Sequence, residues 1–391
     1  MQEHFLRYLN RREFLRATMV GAAALAGSAT LAGCLGDSGG STGQNTQEQD
    51  IAQYDALTQQ LAANLTQALS KEASYAQAIG LHLFYLKFNG FDPTLYSYHK
   101  PSGTTTTYKF SIGSGDKWDY RVSEQLISTA DTSGAGDMVT YSVYAVDAEM
   151  QLVGQTAIAK PPSGVRWHEH YVDGDTIYFM VESATAHTLT RWNPATDAYD
   201  ELLTLEQADL SVGEFWSFAV LGNTILFTES GRLWSLDLET KQATWLNKDK
   251  TQISGTTYFD ADGVFYTSAA GPHYIDPVDG TLVNLKERIS ANSYKLNETY
   301  KSIHNYVQDL TRYKKIAVYI GNGGVFAYDV ISDKVWPILL SPRSSEIRID
   351  YRYPTVLDDG TLFVTGLEST SGAVGAQGPT QMLPASAWLP A

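Results

Sequence analysis

The sequence predicts an all-β fold of the propeller type over residues 81–391, and three observations carry that prediction. Beyond residue 82 the chain consists of short β-branched and aromatic runs punctuated by Asp, Gly, Asn and Pro. The runs recur as hairpins: YSVYAVDAEMQLVG at 141, TLTRWNPATDAYDELL at 188, RLWSLDLETKQATWL at 232, PHYIDPVDGTLVNL at 272 and GVFAYDVISDKVWPI at 324, with LYSYHKPSGTTTTYKF at 95 a weaker copy. Their turns open on His99, Asp147, Asn193, Asp237, Asp276 and Asp329, spaced by 48, 46, 44, 39 and 53 residues. A unit of four short strands with that period is the signature of a propeller blade.

The physical logic is that one twisted four-stranded sheet cannot bury both of its faces. Blades therefore stack face to face around an axis, and closing the ring removes the exposed ends. Strands such as DTIYFMV at 175, NTILFTE at 223, GVFYTS at 263 and KIAVYIG at 315 precede several hairpins, and TLFVTG at 361 follows the last. With the first hairpin and the C-terminal strands each allowed a sheet, the count is seven blades, six and eight remaining open. The stretch ERISANSYKLNETYKSIHNYVQDL at 287 interrupts the rhythm and reads as an insertion lying on one face. Within each turn, an Asp or Asn side chain is suited to capping backbone N–H groups, and a hydroxyl three residues on, such as Thr240, can join it.

Upstream of the repeats, residues 51–80 carry Ile51, Tyr54, Leu57, Leu61, Leu65 and Leu69 on one stripe, which predicts an amphipathic helix packed on the main domain. Before it, residues 34–50 are small and polar, the composition of a flexible linker. Residues 1–33 form a targeting segment. NRREFLR at 10 followed by an Ala- and Gly-rich apolar stretch resembles a twin-arginine export signal, with Arg11 and Arg12 as the pair and Phe14 and Leu15 as the apolar positions after it. The stretch ends in Leu31-Ala32-Gly33-Cys34, which resembles a bacterial lipobox and implies acylation of Cys34. That context disposes of GDSGG at 36–40, a string familiar from serine proteases. A catalytic serine needs a base and an orienting carboxylate from a folded domain, and upstream of Ser38 there is only an export signal.

Composition bounds the ligands. The formal charge of -15 disfavours nucleic acid and anionic lipid headgroups, and the single cysteine excludes internal disulfides and Cys-based zinc clusters. His168 and His170, in Arg166-Trp167-His168-Glu169-His170, alternate on a strand and so share a side. They are weak candidates for a metal, because no third ligand is evident and a structural role is the stronger expectation. Asp173-Gly174-Asp175, Asp260-Ala261-Asp262-Gly263 and Asp358-Asp359-Gly360 lack the spaced oxygen ligands of a calcium loop and read as turns. No catalytic set emerges.

The hairpins resemble the quinoprotein-type, or PQQ-repeat, propeller, whose blade ends in a strand, Asp-x-x-Thr-Gly and a second strand closing on Trp. Asp237, Thr240 and Trp245 fit that spacing with Lys241 in place of Gly; Asp329, Ser332 and Trp336 fit with the Trp one position early; Asn193 and Thr196 fit the turn, and Asp276 keeps Gly280. The resemblance covers about residues 90–365. Its quinone-binding members use metal-ligating carboxylates and commonly a vicinal cysteine pair, which this chain cannot supply, so no cofactor is expected. The resemblance to PQQ-repeat envelope lipoproteins implies a lipid-anchored binding or assembly scaffold, with outer-membrane sorting favoured by Leu35 after the acylated position. Two rivals stand beside it: a polysaccharide hydrolase or lyase with its site at the axis, and an accessory subunit of an exported redox enzyme. Carboxylates around the axis would favour an enzyme; an apolar or aromatic patch on the rim would favour a scaffold.

Overall fold

The computed structural model describes residues 42–390 apart from 71–72, 90–91, 109–119, 133–135, 148, 164–167, 209, 211–214, 249–251, 261, 343–346 and 371–377. The export and acylation residues Arg11, Arg12, Phe14, Leu15 and Cys34 lie outside the described residues. After helix α1 (Thr42–Ala62) and strand β1 (Thr66–Leu69), the chain builds seven four-stranded antiparallel sheets. Blade 1 is β2 (Ser74–Ile79), β3 (His82–Asn89), β4 (Asp92–His99) and β5 (Thr104–Tyr108). Blade 2 is β6 (Tyr120–Val122), β7 (Leu126–Asp131), β8 (Met138–Ala145) and β9 (Leu152–Ala159). Blade 3 is β10 (His170–Asp173), β11 (Thr176–Glu182), β12 (His187–Asn193) and β13 (Ala198–Thr204). Blade 4 is β14 (Phe215–Leu221), β15 (Thr224–Glu229), β16 (Arg232–Asp237) and β17 (Ala243–Trp245). Blade 5 is β18 (Ile253–Tyr258), β19 (Val264–Ser268), β20 (Gly271–Ile275) and β21 (Leu282–Asn284), followed by helix α2 (Leu285–Ala291). Blade 6 is β22 (Gln308–Tyr313), β23 (Ile316–Gly321), β24 (Gly324–Asp329) and β25 (Lys334–Leu340).

Blade 7 joins the two ends of the chain. Its strands β26 (Ile347–Val356), β27 (Leu362–Thr370) and β28 (Thr380–Leu383) come from the C-terminus, and β1 supplies the fourth, with Thr66 opposite Met382 and Gln67 opposite Gln381. The protein is thus a seven-bladed β-propeller closed by strand exchange between its termini.

Strand alternation explains why the blades stack. Neighbouring residues of a strand point to opposite faces, so each blade feeds two seams. In β3, Phe84 and Leu86 pack towards blade 2 while Leu83 and Tyr85 pack towards blade 7. In β15, Phe227 packs against blade 3 and Leu226 against blade 5; in β23, Tyr319 faces blade 5 and Val318 faces blade 7. The buried apolar residues fall into seven clusters, one for each seam, including the seam between blades 7 and 1 that completes the ring.

The N-terminal reading needs correction. The helix expected over 51–80 is α1, which begins inside the expected linker 34–50 and stops at Ala62, while residues 66–79 are strands. Five of the six stripe residues, all but Ile51, still find the core. Tyr54, Leu57 and Leu61 do so from the helix, whereas Leu65 packs on the seam of blades 6 and 7 and Leu69 on that of blades 7 and 1. The run TQAL has good local helix formers, but pairing with a strand more than three hundred residues away overrides that propensity. No helix among the described residues is long and apolar enough to cross a membrane.

The insertion differs from expectation as well. It does not lie on one face but runs along the rim over the full height of blade 6: Asn292 donates to Asp333 O (2.7 Å) at one end of β24, and Ile303 O accepts from Gly323 N (3.0 Å) at the other. Helix α1 lies outside β25 and is pinned there by Tyr54, which is fully buried and whose hydroxyl lies 2.8 Å from Ser341 O and 3.2 Å from Gly323 O. Asp50 of α1 in turn accepts from Thr299 N (3.1 Å), and its carbonyl accepts from Asn297 (3.0 Å), so helix and insertion brace each other.

Candidate functional site

The turns between the first and second, and the third and fourth, strands of every blade share one end of the ring. All the repeat-turn residues lie there, and each performs the capping expected of it. Asp237 Oδ1 accepts from Glu239 N (3.0 Å), Thr240 N (2.7 Å) and Thr240 Oγ1 (3.0 Å), which together hold its carboxyl below the usual carboxylate range, Thr240 contributing most. Asn193 Oδ1 accepts from Ala195 N and Thr196 N, Asp147 from Met150 N, Asp276 from Val278 N, and Asp329 from Ile331 N and Ser332 Oγ. The residue four places after the cap adopts positive φ, Gly280 at 75° but also Asp197 at 55°, Lys241 at 57° and Asp333 at 54°. These residues shape turns. Only Asp276 reaches further, taking Lys315 of the next blade at 2.8 Å, the main reason its carboxyl is held low.

On the rim, next to the turn of Asp329, three segments enclose a groove of about 540 Å³. Its walls are Asn292 to Tyr294 from the insertion, Asp333 to Pro337 from β25, and Ala387 to Pro390 from the C-terminal tail. The tail is fastened by two indoles: Trp336 Nε1 donates to Trp388 O (2.7 Å), and Trp388 Nε1 donates to Gly360 O (2.8 Å) in blade 7. Both ring N–H groups are thereby committed; the Trp388 ring is buried in the seam of blades 6 and 7, and the half-buried Trp336 ring lines the groove. Tyr294 stands edge-on to buried His304 at 5.4 Å, and burial pushes its hydroxyl up to about 12 and lowers His304, so both are neutral at pH 7. The polar groups are Asn292, Ser293 and the exposed, oppositely charged Asp333 and Lys334. An apolar trough of this size with a few polar groups at its edge suits an extended peptide segment with apolar side chains.

The axis is different in character. Gly80 N donates to Asp358 Oδ2 (3.1 Å), and a Cβ on Gly80 would lie 2.0 Å from Glu124 Oε1, so the turns of blades 1, 2 and 7 converge. Arg312 of β22 pairs with Asp260 and donates to Phe259 O (3.1 Å). Asp358 is raised above the usual carboxylate range, mainly by burial, against the opposing pull of Gly80 N–H and Arg312. Asp358 thus places a carboxyl of raised proton affinity close to the Arg312–Asp260 pair.

His168 and His170 share a side, as alternation requires, and face the seam of blades 2 and 3. His168 is 2% exposed; its Nε2 donates to Ala159 O (2.7 Å) and its Nδ1 accepts from Glu182 N (3.0 Å), which fixes a neutral ring, and burial lowers its proton affinity. His170 packs edge-on to Tyr141 at 5.3 Å and stacks on Phe179. Among the described residues no three His, Cys, Asp or Glu side chains are arranged to hold a metal ion.

No protein-family model and no curated protein sequence matches the chain. Solved structures match in fold. The computationally designed Ika8 protein is 12% identical, covering 81% of this chain and 99% of its own, with a TM-score of 0.40. A chain of the Mitotic Checkpoint Complex is 10% identical, covering 82% and 93%, with a TM-score of 0.45. The extracellular domain of the putative hybrid two component system BT3049 from B. thetaiotaomicron is 11% identical, covering 82% of this chain and 40% of that one, with a TM-score of 0.41. At these levels the likenesses carry no argument about function.

Proposed function

We propose that this chain is a lipid-anchored scaffold of a bacterial cell envelope, tethered through Cys34, that binds a partner protein in the rim groove. The observation that carries the reading is the groove itself: Tyr294, Trp336 and the tail residues 387–390 gathered from three distant segments, edged by Asp333 and Lys334. The twin-arginine and lipobox resemblances support an exported, anchored protein, preferably on the periplasmic side of an outer membrane, and the PQQ-repeat likeness of the hairpins supports an assembly role. The test is a photo-crosslinking residue placed at Lys334 and, for comparison, at Thr105 in the outer strand of blade 1, two blades away, in cells carrying the full chain. The reading expects one partner adduct at 334 that Ser293→Trp abolishes by filling the groove; equal labelling at both positions would contradict it. Cys34→Ala is expected to move the protein from the membrane to the soluble fraction.

A second reading draws on the axis. The carboxyl of Asp358, raised above the usual carboxylate range, lies near Glu124 and Asp260 where the turns converge, and carboxylates gathered at the axis support a polysaccharide-active hydrolase or lyase, with Asp358 as the acid. Release of reducing ends from envelope polysaccharide by the purified protein, lost in Asp358→Asn, would displace the scaffold reading. An accessory role in an exported redox enzyme would show itself in the identity of the crosslinked partner.

A further inference from the structure

Every propeller has outer strands whose free edges are open to pairing, and such edges are normally short, charged, interrupted by proline or covered. Six of the seven here follow that rule. β25 contains Lys334 and Pro337 and lies under α1, and β21 has three residues and meets α2. β17 has three residues, β1 four, and β13 carries Asp200 and Glu201. β5 has five residues, four of them Thr.

β9 breaks the rule. It reads LVGQTAIA over eight residues without a charge or a proline, and no helix among the described residues covers it. Lys160 N donates to Asp137 O at the end of its ladder, which sets the hydrogen-bonding parity with β8: residues 154, 156 and 158 bond inwards, and Gln155, Ala157 and Ala159 direct their backbone groups outwards. Ala159 O agrees with that parity, since it is taken from outside by His168 Nε2. At Gln155 and Ala157 no backbone hydrogen bond from a described residue closes on the outer side. Large exposed apolar residues gather around this strand: Leu152 at its start (55% exposed), Met138 opposite Ala159 (45%), and Tyr199 (43%), which bonds Thr156.

We propose that β9 is a self-association edge, at which two copies of this chain join their blades 2 into one continuous antiparallel sheet about a two-fold axis. The register of the edge points to a second copy as the occupant, and the lack of charge along it permits one. The chain carries -15, so two copies repel over most approaches, and β9 is a long apolar edge where neither brings a charge. The strand is also self-complementary: with the axis at Thr156, Gln155 of each copy faces Ala157 of the other and about four backbone hydrogen bonds form. Leu152, Met138 and Tyr199 flank that junction. The inference is independent of the rim groove, which lies on blade 6.

The test uses the purified full chain with Cys34→Ser, which has no other cysteine. Sedimentation velocity is expected to show a monomer–dimer equilibrium, weakened about tenfold or more, about 1.4 kcal/mol, by Ala157→Lys and by Ala157→Pro. Neither substitution removes a bond within the monomer, because Ala157 N–H points outwards, and unchanged thermal melting at dilute concentration checks that each variant folds. A spin label at Gln155→Cys is expected to give a short inter-copy distance. A chain that stays monomeric up to its solubility limit overturns the proposal, as does a dimer that Ala157→Lys leaves intact.

Discussion

Strands β25 and β9 occupy equivalent positions at the outside of their blades, yet one is sheathed and the other bare. β25 is covered by α1 along its length and by the C-terminal tail through Trp336 and Trp388. β9 meets Tyr199 and Pro194 of the next blade but no helix among the described residues. The difference follows from chain order. Blade 6 adjoins the blade that both termini complete, so the segments leading into β1 and out of β28 must pass across its rim. Closure and covering are therefore one structural event, and the groove is a by-product of where the ends of the chain meet.

The largest break in that comparison is deletion of residues 366–391, which removes part of β27, all of β28 and the tail. It leaves β1 without a partner, and calorimetry is expected to show no cooperative transition. Next, Tyr54→Ala should cost about 3–5 kcal/mol by denaturant titration, because a fully buried ring leaves a cavity between helix, insertion and blade 6. Tyr54→Phe keeps the packing and should cost about 1–2 kcal/mol, because Ser341 O loses the hydroxyl as a donor while Gly323 O keeps Ser341 N. At β9, Ala157→Pro should change monomer stability by less than about 0.5 kcal/mol. If Tyr54→Ala and Ala157→Pro cost the same, the sheathed and bare edges are not different in kind.

A further contrast is set by histidine. His168, His187, His273 and His304 are buried with proton affinities lowered chiefly by desolvation, so each is neutral in the fold and binds a proton more readily when unfolded. Their stabilising effect is complete above the unfolded value of about 6.5 and is lost as pH falls from there towards the folded values. Melting temperature should fall between about pH 6.5 and 5, and His168→Gln should flatten part of that slope. A flat profile would mean these rings are accessible to solvent. A modest effect of opposite sign belongs to a turn: Lys241→Gly relieves a side chain held at a φ of 57° and should stabilise by about 0.5–1 kcal/mol, read as a shift in denaturation midpoint.

Legibility followed the range of the forces involved. The caps at Asn193, Asp237 and Asp329 were readable because acceptor and donors lie within three residues of each other. The blade period was readable for the same reason, each hairpin being local. β1 was not, since Thr66 to Leu69 owes its conformation to Thr380 to Met382, and its own residues suit a helix. Neither the groove nor the axial pairing of Arg312 with Asp260 could be read, because each brings together segments with no shared pattern. The one available hint was Trp336, noted as a repeat residue, whose indole proves to anchor the tail.

The account rests on closure of the ring by β1 against β28, and a designed disulfide tests it most directly. Gln67 and Gln381 are opposite each other in that ladder. In the Cys34→Ser chain, Gln67→Cys with Gln381→Cys should form an intramolecular bond on mild oxidation and raise the melting temperature above that of the reduced form. Thiols that stay free in the folded protein, or that link only between molecules, would contradict it.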